Sequence, residues 1–132
     1  MICYVDTSAI FALLDADDEH HSAALERWTK LLGEDAALVC SNYVLIEIFA
    51  LLQARLGMDA VREFETKLMP IINVEWVDEA IHQAGISALM ASGKRGPSLV
   101  DFTSFEIMRR LELGKAFAFD RHFKDAGFST LS

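Results

Sequence analysis

Four carboxylates occupy positions where a globular protein would normally place hydrocarbon. Each lies inside or directly after an apolar run of the sequence; they are Asp6, Glu47, Asp101 and Asp120. A buried carboxylate is costly unless it is paired, hydrogen-bonded or neutralised by a metal ion. Four such groups therefore predict a shared divalent cation, and a cluster of oxygen ligands suits a hard ion such as Mg²⁺ or Mn²⁺.

The cysteines do not suggest a competing metal site. Cys3 and Cys40 are far apart, each lies in an apolar run, and their spacing matches neither a redox CxxC pair nor a zinc site. We expect two buried, reduced thiols, with a single disulfide as the alternative.

The four histidines are weaker candidates than the acids. His20 and His21 lie in an acidic segment and His82 lies in a predicted helix, so surface positions are expected for all three. His122 follows Asp120 by two residues and is the one histidine expected to approach the acids.

Composition predicts one domain covering residues 1–132. The chain is 52% apolar with only 2 Pro and 7 Gly, which is enough for one substantial core and unlike a disordered or fibrous segment. The N-terminus has no basic signal-like region, and the nearby apolar run 9–14 is too short to span a membrane. We therefore expect a soluble cytoplasmic protein without a membrane segment.

The net charge of −8 argues against a module that simply coats nucleic acid, but the charge is unevenly distributed. Residues 94–132 contain seven Lys and Arg side chains against five Asp and Glu. Lys94, Arg95 and Arg121 are the candidates for a rim that faces phosphate; ordinary surface charge is the alternative.

The order of elements predicts how the acids are positioned. Apolar β-forming runs at 2–5, 38–40, 71–74, 116–119 and 128–131 alternate with helical segments, and Gly57 and Gly114 are expected to end two helices. Strands separated by helices predict a three-layer α/β/α sandwich with a mainly parallel sheet. Sites in such sheets lie at the carboxyl ends of the strands, where Asp6 and Asp120 are expected.

The remaining candidates are placed on helices, and two of them have purely structural alternatives. Glu47 lies in mid-helix on a face that it shares with apolar residues. Asp101 lies at the start of a late helix. Its structural alternative is a role limited to capping, as the last residue of a Ser-x-x-Asp capping box with Ser98. Ser8 could orient a carboxylate or simply cap the first helix.

Taken together, these segments resemble the PIN-domain ribonuclease family, and especially the small VapC-like toxins of prokaryotic toxin–antitoxin pairs. The matching pieces are Tyr4-Val5-Asp6-Thr7-Ser8, residues 41–47, Leu99-Val100-Asp101 and residues 118–123. The resemblance covers essentially the whole chain in length and in the order of elements.

The resemblance implies a divalent-metal-dependent endoribonuclease in which the four acids hold one or two Mg²⁺ or Mn²⁺ ions and water is the nucleophile. It also implies an RNA substrate, a small antitoxin partner and a homodimer, with Ser8 supporting the site. One position departs from the pattern: Ala118 stands where similar proteins often have Thr or Ser two residues before the last acid.

Two other classes of protein are alternatives to this one. A catalytically silent PIN-like module that binds RNA or protein would fit the acidic surface and Ala118. Phosphate-transfer α/β domains fit less well, because Ser8 stands where a dehalogenase-like phosphatase needs a second Asp, and Lys115 precedes its strand, whereas a receiver domain needs a Lys at the strand end.

Overall fold

The centre of the protein is a five-stranded, entirely parallel sheet. A computed structural model describes residues 1–132. The strands, in chain order, are β1 (Ile2–Val5), β2 (Ala37–Ser41), β3 (Ile72–Glu75), β4 (Lys115–Phe117) and β5 (Ser129–Leu131). Their spatial order is β3-β2-β1-β4-β5, and every neighbouring pair is parallel. The predicted, mainly parallel sheet is confirmed.

Seven helices connect these strands. They are α1 (Thr7–Leu14), α2 (His21–Gly33), α3 (Asn42–Arg55), α4 (Met58–Glu63), α5 (Glu79–Ser92), α6 (Leu99–Arg110) and α7 (His122–Asp125). A π-helical turn at Phe64–Leu68 and a 3₁₀ turn at Met69–Ile71 lead from α4 into β3. None of the helices is both long and apolar enough to cross a membrane.

The apolar run of β1 explains why helices cover both faces of the sheet. Cys3, Tyr4 and Val5 point alternately to opposite faces, and all three are fully buried. A strand that is buried on both faces needs a layer on each side of the sheet. The predicted three-layer arrangement follows from this pattern.

Two buried contacts fix α6, the helix that carries Asp101. The Tyr4 hydroxyl and Ser104 Oγ are hydrogen-bonded at 2.7 Å, which joins α6 to the central strand. On its other side α6 packs against α5 at Gly85, where an added Cβ would lie only 2.6 Å from Thr103 Cγ2. The position of α6 is therefore set by a polar contact on one side and by close helix packing on the other.

The prediction that β4 continues to Phe119 is wrong. The strand ends at Phe117, and Asp120 lies three residues beyond it, in a bend. The backbone N–H of Phe119 leaves the sheet because it donates to Ser8 Oγ at 3.0 Å. A side chain from α1 therefore shapes the segment that carries Asp120.

The expected stop of α6 at Gly114 is also wrong. The helix ends at Arg110, and the left-handed residue that closes it is Glu112, with φ of 55°. The Leu113 N–H returns to the Met108 carbonyl at 2.7 Å, which satisfies the helix end without glycine. Gly57, in contrast, has φ of 92° between α3 and α4, as a helix-ending glycine should.

The two thiols are free and buried, as predicted. Burial raises the pKa of Cys3 to about 11 and that of Cys40 to about 12. Both side chains are therefore neutral, poorly reactive members of the core.

Candidate metal centre

The sheet topology brings the first and last acids to one place. The chain moves outward from β1 to β2 and β3, then returns across β1 to form β4 and β5. The strand order therefore reverses between β1 and β4. In open parallel sheets, ligands bind at the carboxyl ends of the two strands that flank such a reversal, and this carboxyl edge of β1 and β4 is the expected site. Asp6 directly follows β1, and Asp120 follows β4 after a bend.

Asp6 is held firmly at this edge. Its side chain is only 3% exposed, its backbone N–H donates to the Phe117 carbonyl at 3.0 Å, and it is the N-cap of α1. The carboxylate Oδ2 accepts from the Ser8 backbone N–H at 3.1 Å and from the Ser8 hydroxyl at 2.6 Å. Asp6 therefore combines a structural role as a cap with a position in the acidic site.

The alternative that Ser8 caps α1 is wrong, because Asp6 is the cap. The Ser8 hydroxyl instead lies between two parts of the site: it donates to Asp6 and accepts from the N–H of Phe119. One hydroxyl thus connects the acid after β1 with the segment before Asp120. A role for Ser8 in supporting the metal site stays a prediction.

Asp101 does form the capping box, but the box does not use the whole carboxylate. Its Oδ2 accepts from the Ser98 backbone N–H at 2.8 Å and from the Ser98 hydroxyl at 3.2 Å, and it lies 3.1 Å from His122 Nδ1. Every hydrogen bond of this side chain uses Oδ2. The structural and functional interpretations of Asp101 are therefore compatible, since Oδ1 has no partner.

Three potential ligand atoms converge beside Asp6. One atom each from Asp101, Asp120 and His122 lie within 4.8 Å of one another. Burial raises the pKa of Asp6, and the negative charges of Asp120 and Asp101 raise it further, partly offset by the Ser8 hydrogen bond. These perturbations place Asp6 in the same cluster as Asp101 and Asp120, although Asp6 is not one of the three converging atoms.

Glu47 is less closely associated with the other acids. It is half-buried on α3, makes no hydrogen bond or salt bridge, and is absent from the converging group. Leu51 and Arg55, four and eight residues further along α3, line a pocket of about 360 Å³ together with Ser8 and Asp120. Residues at this spacing share a helix face, so Glu47 lies on the side of α3 that is turned toward the site.

The predicted basic rim is divided between two openings. Lys94 and Arg95 line a pocket of about 580 Å³ that also includes His122. Arg121 lines a separate opening of about 370 Å³ with Asp120. The three cations therefore flank the acidic cluster from different directions and do not form one patch.

Several side chains near the site were not singled out by sequence reasoning. The His20 ring stacks on Phe119 with centroids 4.7 Å apart, and both rings line the pocket that contains Arg55 and Asp120. Arg109 joins Lys94 and Arg95 around the larger pocket. Only the spacing of Arg55 from Glu47 could have indicated one of these positions in advance.

Two histidines expected to be ordinary surface residues make specific contacts instead. His21 Nδ1 is hydrogen-bonded to the Ala12 carbonyl at 2.7 Å, and His82 Nδ1 is hydrogen-bonded to the Tyr43 hydroxyl. Neither lines a pocket beside the acids. The closer approach predicted for His122 is confirmed by its contact with Asp101.

The donor set fits a divalent cation. The carboxylate oxygens of Asp101 and Asp120 converge, and burial together with the negative charges of Asp120 and Asp101 raises the pKa of nearby Asp6. A cation between them would reverse that penalty, and hard oxygen ligands favour Mg²⁺ or Mn²⁺. Asp101 and Asp120 would hold the ion directly, with Asp6 beside them.

Comparison with known proteins identifies the class to which this fold and site belong. The family model of the PIN domain matches residues 3–129, so the chain belongs to the PIN domain family. Among named relatives, the 23S rRNA-specific endonuclease VapC20 of Mycobacterium tuberculosis, from strains CDC 1551 and H37Rv, is 35% identical over 126 residues. These alignments cover 95% of this chain and 94% of VapC20.

A solved structure supports the same assignment. The crystal structure of Mycobacterium tuberculosis VapC20, described as a sarcin–ricin loop cleaving toxin, superposes with a TM-score of 0.82 at 34% identity. The match covers 97% of this chain and 96% of that one. The family resemblance inferred from the sequence is therefore confirmed over nearly the whole chain.

Proposed function

We propose that this protein is an endoribonuclease toxin that uses Mg²⁺ or Mn²⁺ to cleave RNA. The observation that carries the proposal is the convergence of Asp101, Asp120 and His122 beside the buried Asp6, where the strand order of the sheet reverses. The similarity to VapC20 supports RNA as the substrate and makes 23S rRNA the first substrate to test.

The protein's own residues would divide the work as follows. Asp101 and Asp120 hold the cation, and Asp6 completes the acidic cluster from the end of β1. Ser8 holds Asp6 and Phe119 in fixed positions through its two hydrogen bonds. A bound divalent ion lowers the pKa of a coordinated water and neutralises charge that develops on the phosphodiester. Lys94, Arg95 and Arg121 then bind flanking phosphates around an otherwise acidic centre.

Glu47 is the fourth proposed metal ligand. Its helix face is turned toward the pocket beside Asp120, and a second ion or a small movement of α3 would bring it into coordination. The number of ions, one or two, therefore depends on Glu47. In Glu47→Gln, we expect the Mn²⁺ stoichiometry to fall from two to one if Glu47 holds a second ion.

The central experiment combines metal binding with cleavage. Wild-type protein should bind Mn²⁺ by calorimetry and cleave purified 23S rRNA with Mg²⁺ or Mn²⁺ but not with EDTA. Asp101→Asn should lose both properties, whereas Asp59→Asn, which changes a fully exposed carboxylate on α4, should keep them. Absence of measurable Mn²⁺ binding by the wild-type protein would refute the proposed enzyme.

A second function is supported by one position. Ala118 is buried, and no hydroxyl stands two residues before Asp120. If this loss removes activity, the protein would be a PIN-like module that binds RNA or protein without cutting. Mn²⁺ and RNA binding without cleavage, with cleavage gained in Ala118→Thr, would favour this alternative.

We expect a homodimer and a small antitoxin that covers the acidic pocket. The apolar segment near Phe49 is used mainly for the core, since Leu52 is buried and the Phe49 ring packs on Phe64 at 5.2 Å. Ile46 and Trp76 are about two-thirds exposed and are better candidates for a dimer contact, which sedimentation of Ile46→Ser would test. A cytoplasmic location stays a prediction.

A further inference from the structure

A large pocket lies beside the acidic cluster, not within it. Its volume is about 580 Å³, and it is bounded by the loop that precedes α6, by α6 itself and by α7. Its chemically distinctive side chains are Lys94, Arg95, Phe102, Phe105, Arg109 and His122. A pocket of this size accommodates a small organic ligand.

The rim of the pocket carries positive charge that the protein does not neutralise. Lys94, Arg95 and Arg109 form no salt bridge, and Asp125 is the only acid that lines the pocket. The guanidinium of Arg109 is held over the Phe128 ring, 5.6 Å from its centroid. In a chain of net charge −8, three unpaired cations around one pocket indicate an anionic ligand.

The wall of the pocket is aromatic, which a bare phosphate does not require. The half-buried Phe102 ring packs edge-on against the Phe105 ring with centroids 5.9 Å apart, and Phe105 continues the wall into the core. A cationic rim over an aromatic wall suits a ligand with an anionic end and a flat, stackable end. A nucleotide has both.

His122 connects this pocket to the proposed metal centre. Its ring lines the pocket, and its Nδ1 lies 3.1 Å from Asp101 Oδ2. A nucleotide in the pocket would therefore be separated from the acidic cluster by a single side chain. The adjoining phosphodiester of a bound RNA chain would lie at the metal centre. This favours RNA over an acidic peptide, which has no phosphodiester to place there.

We propose that this pocket binds one unpaired nucleotide of the RNA next to the cleaved phosphodiester, an inference that rests on the proposed ribonuclease function. The base stacks against Phe102, and the phosphates bind Lys94, Arg95 and Arg109. A base that is paired in a duplex cannot enter such a pocket, so the substrate must expose a nucleotide in a loop, a bulge or a single strand.

Two variants separate the charge contribution from the stacking contribution. Arg109→Gln should weaken binding of a fluorescent eight-uridine RNA by about tenfold. The dependence of the affinity on salt concentration should fall by nearly the amount expected for one phosphate contact. Phe102→Leu keeps an apolar side chain of similar bulk. It should weaken binding by at least about fivefold without changing the salt dependence, because stacking alone is lost.

A matched control lies next to Arg109 on the same helix. Arg110 is salt-bridged to Glu106 at 2.8 Å and does not line the pocket, so Arg110→Gln should bind the RNA as wild type does. An eight-base-pair RNA duplex should bind more weakly than the single strand and should not respond to Phe102→Leu. Anisotropy in EDTA measures all of these affinities without cleavage.

Specific outcomes would overturn the proposal. It is wrong if Arg109→Gln and Arg110→Gln have equal effects, or if Phe102→Leu weakens duplex and single strand alike. Tighter binding of a labelled eight-glutamate peptide than of RNA would assign the pocket to an acidic protein segment instead. Binding in EDTA is measured independently of catalysis. If the affinities are as predicted but the protein does not cleave 23S rRNA with Mg²⁺ or Mn²⁺, the proposed enzyme is contradicted and the pocket assignment is retained.

Discussion

The Ser8 hydroxyl offers the most direct test of how the site is assembled. It donates to Asp6 at 2.6 Å and accepts from the Phe119 N–H at 3.0 Å, so Ser8→Ala removes two hydrogen bonds that connect separate elements. A bond to a charged group contributes about 1.5–3 kcal/mol and a neutral one about 0.5–1.5 kcal/mol. Ser8 is half-buried and water can replace part of this loss. We therefore expect a decrease of about 2 kcal/mol in the free energy of unfolding.

Urea unfolding followed by tryptophan fluorescence, at pH 7 in EDTA, measures this change. Ser22→Ala on the exposed surface of α2 is the matched control and should stay within about 0.5 kcal/mol of wild type. Ser8→Thr keeps the hydroxyl and should recover most of the loss.

A second measurement distinguishes support of the site from general stability. If Ser8 orients Asp6 and the bend before Asp120, Ser8→Ala should weaken Mn²⁺ binding by about 10- to 100-fold. A variant with unchanged stability and unchanged Mn²⁺ affinity would refute the assigned role. Loss of stability alone would leave Ser8 as a purely structural residue.

The remaining predictions concern the buried acid, the helix contact and the thiols. Burial and the charge of Asp120 raise the pKa of Asp6, so the metal-free protein should lose stability as the pH rises from the ordinary Asp range through this raised pKa. Asp6→Asn should remove that loss and abolish RNA cleavage; the same pH dependence of urea unfolding in the variant would contradict the electrostatic account. Gly85→Ala should destabilise the protein by about 1–3 kcal/mol because its Cβ clashes with α6, whereas Gly33→Ala at an open helical position should be neutral or stabilising in the same assay. Cys3 and Cys40 should react with iodoacetamide only after unfolding, and mass spectrometry of native protein that finds either one modified would contradict their burial.

The sequence was sufficient for the order of elements and the parallel sheet. Alternation of β-forming apolar runs with helical segments requires crossover connections, and crossovers place the ends of parallel strands at one edge. The same alternation predicted helices on both faces of the sheet, which the full burial of Cys3, Tyr4 and Val5 matches, and Gly57 marked a helix end correctly. These features depend on local periodicity and backbone preference, which are properties of the local sequence.

Tertiary structure alone decided the details that make the site. The end of β4 depends on the contact between Phe119 and Ser8, which are 111 residues apart in the sequence, and the stop of α6 uses Glu112 where Gly114 was expected. The contact of His122 with Asp101 and the pocket that Arg109 completes also join residues that are distant in sequence. Such contacts depend on how helices dock on the sheet.

The four acids illustrate the difference between what the sequence determines and what the tertiary structure determines. Their types and apolar surroundings were enough to predict a cation site and to select Asp6, Glu47, Asp101 and Asp120 as its candidates. Only the folded chain separates Asp6, whose pKa is raised by burial and by the charges of Asp120 and Asp101, from Glu47, which lies outside the converging group. Residue chemistry is local, whereas the mutual distance of carboxylates is set by the reversal of strand order between β1 and β4.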